Sequence, residues 1–495
     1  MQSATIKKNI AACFVLAMLL SACSKLELVP ISQKSVENFY KTPTDINQAV
    51  IGCYNGLRTV WVTAQSSYML TESRSDNAFQ GTAYDDGPIC RWQETPDLPT
   101  LFTAWSTYYT DINRCNRILE SIGNVTLPDS LKNQYTGEAK FARAMFYFDL
   151  VRLFGGVPIV TATISLGESY KVSRASVQET YDLIVSDLKD AGSLLPDAYA
   201  STDNGRATKW AAKAYLGKVY LFRSGFPLNK GEWDLARQAF SEVIGSHKFQ
   251  FFANYADIYS FTNESKAQQV FSIQFKAGAD GNGNPFPTRN APNDIIPGTV
   301  AQGGIPFGGS PFNLFVSTDL VNSFEPGDLR KSVAIRQSYV NKGNQTITTV
   351  PFCQKYQNGT VAALNDWDID WIAMSYTDVL MMYAECLNEL GYVPDGEAFQ
   401  ILNDVRQRAG LAAKTSTDVP DQAAFRLWME KERRWELCFE NVRWFDLVRT
   451  DRALTVMKAF LTQYGMGDNV VSRDQYLYPI PQTVIDVSPI ITQNP

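Results

Sequence analysis

Histidine is almost missing from this 495-residue chain, in which His247 is the single one. Catalytic triads that depend on histidine and metal sites built from several imidazoles are therefore nearly excluded. The chain also lacks an excess of positive charge, because 51 acidic residues outnumber 45 basic ones and give a formal net charge of −6 at neutral pH, which argues against general nucleic-acid binding. A glycosidase that works with two carboxylates needs no histidine and stays open.

Other ligand-binding patterns are incomplete. The glycine pairs at 303–304 and 308–309 are not followed by the Gly-Lys-Ser/Thr of a phosphate-binding loop. The aspartates at 366, 368 and 370 alternate as at the start of a calcium loop, but Trp371 and Thr377 stand where that loop needs Gly and Glu. We interpret them as a polar edge ahead of a helix, and we predict neither a metal nor a cofactor.

The N-terminal residues predict export and a lipid anchor. Lys7 and Lys8 precede an apolar stretch at 10–20 that is too short to span a bilayer stably. Leu-Ser-Ala-Cys follows at 20–23 and resembles a bacterial lipobox, in which the cysteine is acylated and becomes the new N-terminus. We therefore predict that residues 1–22 are a removed signal peptide and that Cys23 is the lipid anchor. Ser24 in place of Asp favours the outer membrane.

The remaining cysteines show no C-x-x-C pair, and several lie on apolar helix faces. We predict no disulfide framework, although a location outside the cytoplasm leaves room for a single bridge. These cysteines are Cys53, Cys90, Cys115, Cys353, Cys386 and Cys438.

Helical periodicity runs through most of the mature chain. A helix that Thr44 or Asp45 caps is predicted to bury Ile46, Ala49, Val50, Cys53 and Leu57. Further helices are predicted within 137–160, 180–196, 205–222 and 378–411, the first of these ending at the glycines 155–156. Leu216-Gly217-x-x-Tyr220 and Ala236-x-x-x-Phe240 match parts of the tetratricopeptide pattern, so antiparallel helix pairs are expected.

Two kinds of irregular segment interrupt the helices. A polar run follows Trp61 as far as Trp92, and residues 277–315 are rich in Gly, Pro and Asn. Loops on a rigid scaffold commonly carry binding residues, and sugars are held by aromatic rings together with Asp, Asn or Arg. The candidate ligand-binding residues are therefore Asp76, Asn77, Arg91, Trp92, Phe286, Phe307 and Phe312. For each single aromatic residue, a core-filling role is the commoner alternative.

Residues 435–450 combine an apolar helix face with closely spaced charges. Glu440 with Arg443, and Asp446 with Arg449, are spaced i, i+3 and are predicted to pair. The alternative is a catalytic carboxylate site. We favour a structural role because each acid has a basic partner nearby.

The same residues carry a family resemblance. The string E-x-C-F-E-N-V-R-W-F-D-L-V-R at 436–449 resembles the C-terminal signature of the SusD/RagB family, as do residues 39–58, 137–160 and 476–495. Asn441 stands where Gly is expected, and Asn tolerates the left-handed conformation. Ser-Tyr-Thr at 375–377 replaces the usual Arg-Tyr-Ala, which puts one internal ion pair in doubt.

This resemblance implies a mainly α fold, with tetratricopeptide-like helix pairs as scaffold, long irregular loops and a few short β-strands. It implies one SusD-like fold over 23–495, with an N-terminal region at about 24–225 and a C-terminal region at about 270–495. Members of the family are surface lipoproteins that capture glycan, or sometimes peptide, for a partner TonB-dependent transporter of the SusC type. For this chain we predict glycan capture without enzymatic activity. Capture of peptide, a surface glycosidase, and a transporter lid with no ligand of its own are the alternatives.

Overall fold

The computed structural model describes residues 39–63, 66–79, 87–264, 266–278, 280–310 and 316–495. Helices dominate this part of the chain and strands are few and short, which confirms the predicted fold class. The helices are α1 (Pro43–Arg58), α2 (Ser66–Thr71), α3 (Gly87–Cys90), α4 (Pro99–Ser121), α5 (Asp129–Phe154), α6 (Leu166–Ser169), α7 (Val177–Leu194), α8 (Lys209–Ser224), α9 (Trp233–Gly245), α10 (Tyr255–Ile258), α11 (Phe286–Arg289), α12 (Thr318–Ser323), α13 (Leu329–Ala334), α14 (Tyr376–Leu390), α15 (Glu397–Arg408), α16 (Gln422–Glu436), α17 (Arg443–Arg449), α18 (Ala453–Thr462) and α19 (Gln482–Val487). The strands are β1 (Gln269–Ile273), β2 (Ile335–Arg336), β3 (Tyr339–Val340), β4 (Ile347–Thr348), β5 (Phe352–Cys353), β6 (Val361–Ala363), β7 (Asp366–Trp367) and β8 (Trp371–Ser375).

The N-cap of helix α1 lies two residues before Thr44, the nearer of the two caps predicted from the sequence. Thr42 is the N-cap residue, its hydroxyl accepts from the Asp45 backbone, and the Asp45 carboxylate accepts from the Thr42 backbone. Asp45 is therefore the third helical residue of a capping box and not the cap itself. Pro43 at the first helical position suits this start, since its missing N–H would have no partner there. The predicted apolar face of α1 is buried, as expected.

The long helices form an array in which each packs on the next. Helix α4 packs on α5, α5 on α7, α7 on α8 and α8 on α9. Helix α9 then packs against α14, and α14 pairs with α15. In the α8–α9 pair, a β-carbon at Gly217 would lie 2.7 Å from the ring of Phe240, so glycine permits this close approach. The tetratricopeptide-like residues at these two positions therefore form the predicted helix pair. Helix α5 ends as predicted, with Gly155 at a φ of +74°.

Residues 435–450 are not one helix, which corrects the sequence prediction. Helix α16 ends at Glu436, a turn follows, and α17 starts at Arg443. Phe439 and Asn441 adopt left-handed φ angles of +66° and +61° in this turn. Cys438 and Phe439 are still fully buried, so the apolar pattern marked burial correctly but not helical continuity.

Strands β1 and β8 pair in antiparallel fashion, although they are about 100 residues apart in the chain. The other pairs are β2 with β5, β3 with β4 and β6 with β7. One hydrophobic core extends from Ile46 on α1 to Ile491 near the C-terminus. Among the described residues, none of the helices combines the length and hydropathy needed to cross a membrane.

Candidate ligand-binding surface

Asp76 lies in the interior of the protein, with only 2% of the residue exposed. Its carboxylate accepts hydrogen bonds of 2.8 and 2.9 Å from the Nε and Nη2 atoms of Arg443, and Arg434 lies 3.1 Å away. Burial would raise the pKa of Asp76, but Arg434 and Arg443 outweigh it and hold that pKa at about 2. Asp76 therefore serves as the anion of a buried ion-pair group.

Asn77 lies beside it and is also buried. Its side-chain oxygen accepts from Arg434 Nε at 3.0 Å, and its amide nitrogen donates to Glu72 at 3.0 Å. Glu72 also accepts from the backbone of Asn441. Asp76 and Asn77 were predicted from the sequence as ligand contacts. In the structure they connect the polar run after Trp61 to α17 and to the turn before it.

Trp92 fills the core, as the alternative interpretation of this ring anticipated. The residue is 3% exposed, the guanidinium of Arg74 lies 4.1 Å from its ring centre, and Trp444 meets it edge-on at 5.6 Å. Its indole nitrogen donates to the Arg74 carbonyl. Arg91 is half-buried, and its carbonyl accepts from the Asn469 side chain at 2.8 Å.

The predicted phenylalanines differ in position. Phe286 is 3% exposed and packs 4.6 Å from Trp371, so it belongs to the core. Phe307 is 52% exposed and stands on the surface. Phe312 lies outside the described residues, as does Cys23.

Of the two ion pairs predicted within residues 435–450, one forms and the other does not. Asp446 accepts from Arg449 at 2.8 Å, which confirms that pair. Glu440 does not pair with Arg443. It accepts from Lys355 at 2.8 Å and from the Tyr259 hydroxyl at 2.5 Å, while Arg443 binds Asp76. The i, i+3 spacing misled because the turn before α17 separates the two side chains.

The two irregular segments meet in space where the sequence could not show it. Ala78 and Val316 form an antiparallel bridge, and Ser317 donates to the backbone carbonyls of Asp76 and Asn77. Residue 79 and residue 316 are therefore neighbours. The described end of the polar run after Trp61 therefore lies beside the residues that follow the glycine-rich segment.

A partly exposed aromatic pair stands at this junction. The ring of Phe79 stacks on Tyr464 with 3.6 Å between centres and 16° between planes, and the edge of Phe460 supports it. Neither Phe79 nor Tyr464 was identified from the sequence. Their pairing joins the polar run after Trp61 to the end of α18, and no local motif signals such a contact.

Hydrogen-bonding side chains border the two rings. Asp319 at the start of α12 accepts from Arg434 at 2.7 Å and from the exposed amide of Gln463 at 3.4 Å. Gln463 directly precedes Tyr464 in the chain, and Tyr464 is partly exposed. We call Phe79, Tyr464, Asp319 and Gln463 the junction surface. It combines flat rings with one acceptor and one amide, which is the composition that sugar binding needs.

The glycine-rich loop is ordered over its described part. The Asp294 carboxylate accepts from the Tyr339 hydroxyl at 2.7 Å and from Asn341 at 2.6 Å, and Val340 donates to the Gly303 carbonyl. A small core of Ala291, Ile295, Ile305, Tyr339 and Phe352 lies beneath. The described part of this loop is therefore closely packed. We call it the second loop unit, and Phe307 projects from it.

Two family models match most of the chain between them. The model described as the SusD family matches residues 321–495, and the model described as starch-binding associating with outer membrane matches residues 26–221. The chain belongs to the SusD/RagB family.

Two relatives align with this chain over most of their own length. SusD-like protein P25 of Formosa agariphila is 26% identical over 95% of this chain and 94% of the relative. A SusD-like protein of Bacteroides ovatus is 25% identical over 93% and 86%, respectively.

Solved SusD structures have the same fold. A laminarin-binding SusD-like protein is 25% identical, with a TM-score of 0.76 over 92% of this chain and all of that one. A SusD homologue from Bacteroides thetaiotaomicron, also 25% identical, has a TM-score of 0.78 over 94% and 99%. As a SusD-family chain, this protein places its irregular loops on the helical scaffold that the resemblance implied.

Proposed function

We propose that this SusD-family protein holds glycan chains at the junction surface and passes them, unchanged, to a TonB-dependent outer-membrane transporter. The observation that carries the proposal is the partly exposed Phe79–Tyr464 stack, together with the hydrogen bond between Asp319 and Gln463, the residue that directly precedes Tyr464 in the chain. The laminarin-binding relative of the same fold supports glycan as the ligand class.

The chemistry of the junction surface suits reversible capture. The ring faces stack against the C–H faces of a sugar, the Asp319 carboxylate accepts from hydroxyl groups and the Gln463 amide donates to ring or hydroxyl oxygens. Each ring contributes about 1 kcal/mol, so a few such contacts give micromolar to millimolar affinity. A capture protein that must release its cargo needs no tighter binding.

Calorimetry on the lipid-free protein tests this surface. Laminarin, starch and a panel of other polysaccharides are titrated into the wild type and into Tyr464→Ala and Phe79→Ala. We expect binding to one glycan class that weakens several-fold in both variants, with thermal unfolding nearly unchanged.

Tyr170→Ala is the matched control, because Tyr170 is 38% exposed directly after α6, where its backbone carbonyl accepts from Ser488 and its backbone N–H donates to Glu168. Wild-type affinity in both junction variants would show that the site lies elsewhere. The second loop unit, which carries Phe307, would then be the next surface to test. Binding of peptides rather than glycans would favour the peptide-capturing alternative. Release of reducing ends from a bound polysaccharide would favour the glycosidase.

The proposed location and partner follow from the N-terminal pattern and the family. Cys23 is proposed as the acylated residue that holds the protein on the outer membrane, exposed at the cell surface beside a SusC-like transporter. Cys23→Ser should shift the protein out of the membrane fraction or leave the signal uncleaved. Mature, membrane-bound Cys23→Ser protein would contradict the anchor. Co-purification of a large TonB-dependent transporter with the tagged wild type tests the partner.

A further inference from the structure

Two buried cysteines meet between the first helix and the fourth. Cys53 lies in the middle of α1 and Cys115 in the second half of α4, and their sulfur atoms are 3.5 Å apart. Cys53 is 1% exposed and Cys115 is fully buried. A disulfide needs the sulfurs at about 2.05 Å, so adjustments of roughly 1.5 Å shared between two side chains would close the bond.

The close approach of the helices explains the contact. One turn after Cys53, Gly56 faces Asp111, which lies one turn before Cys115, so the two helices run antiparallel. A β-carbon on Gly56 would lie 2.5 Å from Cγ of Asp111. Glycine at this position therefore lets α1 and α4 pack closely enough for the sulfurs to touch, and the helices hold them facing each other.

We propose that Cys53 and Cys115 form a disulfide that fastens α1 to α4 when the protein folds outside the cytoplasm. The proposal rests on the export that the proposed function assumes. In the reaction, the thiolate of one cysteine attacks the disulfide of an external thiol oxidant and forms a mixed disulfide. The second cysteine's thiolate then displaces the oxidant's remaining sulfur, so that two protein thiols are oxidised and one oxidant disulfide is reduced to two thiols.

The burial of the pair determines when the bond forms and how long it lasts. An oxidant reaches these sulfurs before α1 has packed on α4, so the bond forms during folding. Afterwards burial shields both sulfurs, and it raises the pKa of the Cys115 thiol well above its usual range. Exchange with other thiols is then slow, which makes the bond durable rather than a switch.

The bond would secure the first described helix of the chain. Helix α1 continues into residues 59–63, where the Trp61 indole donates to Asp149 and the Thr63 carbonyl accepts from Arg289. Arg289 lies on α11, within the irregular region that leads to the second loop unit. A cross-link at the middle of α1 would therefore restrain the segment that supports the recognition loops.

Mass spectrometry on the full mature chain tests the bond directly. The protein is refolded in a mixture of reduced and oxidised glutathione, treated with a thiol-blocking reagent in denaturant, and digested without reductant. We expect a linked peptide pair containing Cys53 and Cys115, while Cys353, Cys386 and Cys438 carry the blocking group. Cys53→Ala and Cys115→Ala should abolish the linked pair, and each should unfold a few degrees below the oxidised wild type, because the unfolded chain loses its loop constraint.

Cys386→Ala is the matched control, since Cys386 is a fully buried helical cysteine that should leave the linked pair intact. Blocking reagent on both Cys53 and Cys115 of the refolded wild type would overturn the proposal. So would reduced cysteines in protein isolated from the cell envelope. Glycan binding measured on the same oxidised sample separates this result from the proposed function, because either one can fail while the other holds.

Discussion

Replacing Asp76 by Asn removes one charge from the interior while keeping the shape of the side chain. In the wild type, Arg443 donates two hydrogen bonds to Asp76 at 2.8 and 2.9 Å, and Arg434 lies 3.1 Å from the same carboxylate. The variant removes the nearer anion of the buried Arg443 guanidinium and leaves only the more distant Glu430 carboxylate, at 3.7 Å. Breaking a buried pair in this way commonly costs about 3–5 kcal/mol.

The pKa of Asp76 gives a second measure of the magnitude. Its ordinary value is 3.8 and the two arginines lower it to about 2 in the folded protein. At roughly 1.4 kcal/mol per pKa unit, the ionised carboxylate stabilises the folded state by about 2–3 kcal/mol. Because the folded pKa lies below the unfolded one, this stabilisation is present above pH 3.8 and is lost as the pH falls towards 2. We expect Asp76→Asn to lose about 3 kcal/mol at neutral pH and to lack this acid dependence.

Urea unfolding at neutral pH and at a series of acidic pH values measures both effects. Asp234→Asn is the control, because Asp234 forms an exposed i, i+3 pair with Arg237 and its loss should change stability little. An Asp76→Asn protein with wild-type stability would refute the reasoning. If that protein also failed to bind glycan, Asp76 would be a ligand contact, as its place in a polar loop first suggested.

Three further predictions concern other buried side chains. Trp92→Ala should lower the free energy of unfolding by about 3–5 kcal/mol, because it empties a core position and removes the ring under Arg74. Thermal unfolding measures this loss, with Phe307→Ala as the exposed control. Glu440→Gln should destabilise by about 3 kcal/mol by leaving Lys355 unpaired, and adding Lys355→Met should recover part of the loss in a double-mutant cycle. Burial raises the pKa of Glu72 from 4.5 to about 7, so its contribution to stability is complete below pH 4.5 and is lost as the pH rises through 7. Glu72→Gln should therefore flatten the pH dependence of urea unfolding over that window, and an unchanged slope would contradict the assignment.

Local patterns in the sequence were enough for the helical scaffold. The apolar face of α1, the end of α5 at Gly155 and the α8–α9 pair all follow from spacing of 3.6 residues per turn and from the conformational freedom of glycine. Each of these signals is contained within one or two helical turns of a single helix. The capping residue was misplaced by two positions because Thr42, Thr44 and Asp45 are all suitable caps, and Pro43 at the first helical position decides between them.

The candidate site depended on contacts that span the chain. Phe79 stacks on Tyr464, 385 positions later in the numbering, and the Ala78–Val316 bridge brings the two irregular segments together. Asp76 and Trp92 had the composition of binding residues, yet burial assigned them to the core. Composition alone cannot separate a sugar-binding tryptophan from a core tryptophan, because a tryptophan with an arginine nearby suits either role.

The sequence by itself determined the long helices of the scaffold, the irregular segments and the family, since each is encoded in short-range spacing or in a contiguous signature. Only the tertiary structure decided which charges pair and which rings reach the surface. Glu440 illustrates the reason. Its nearest cation in the chain is Arg443, but the left-handed turn at Asn441 changes the direction of the chain before α17. Arg443 therefore pairs with Asp76, and Glu440 pairs with Lys355. A buried charge takes the partner that packing brings within hydrogen-bond distance, and separation along the chain carries no weight in that choice.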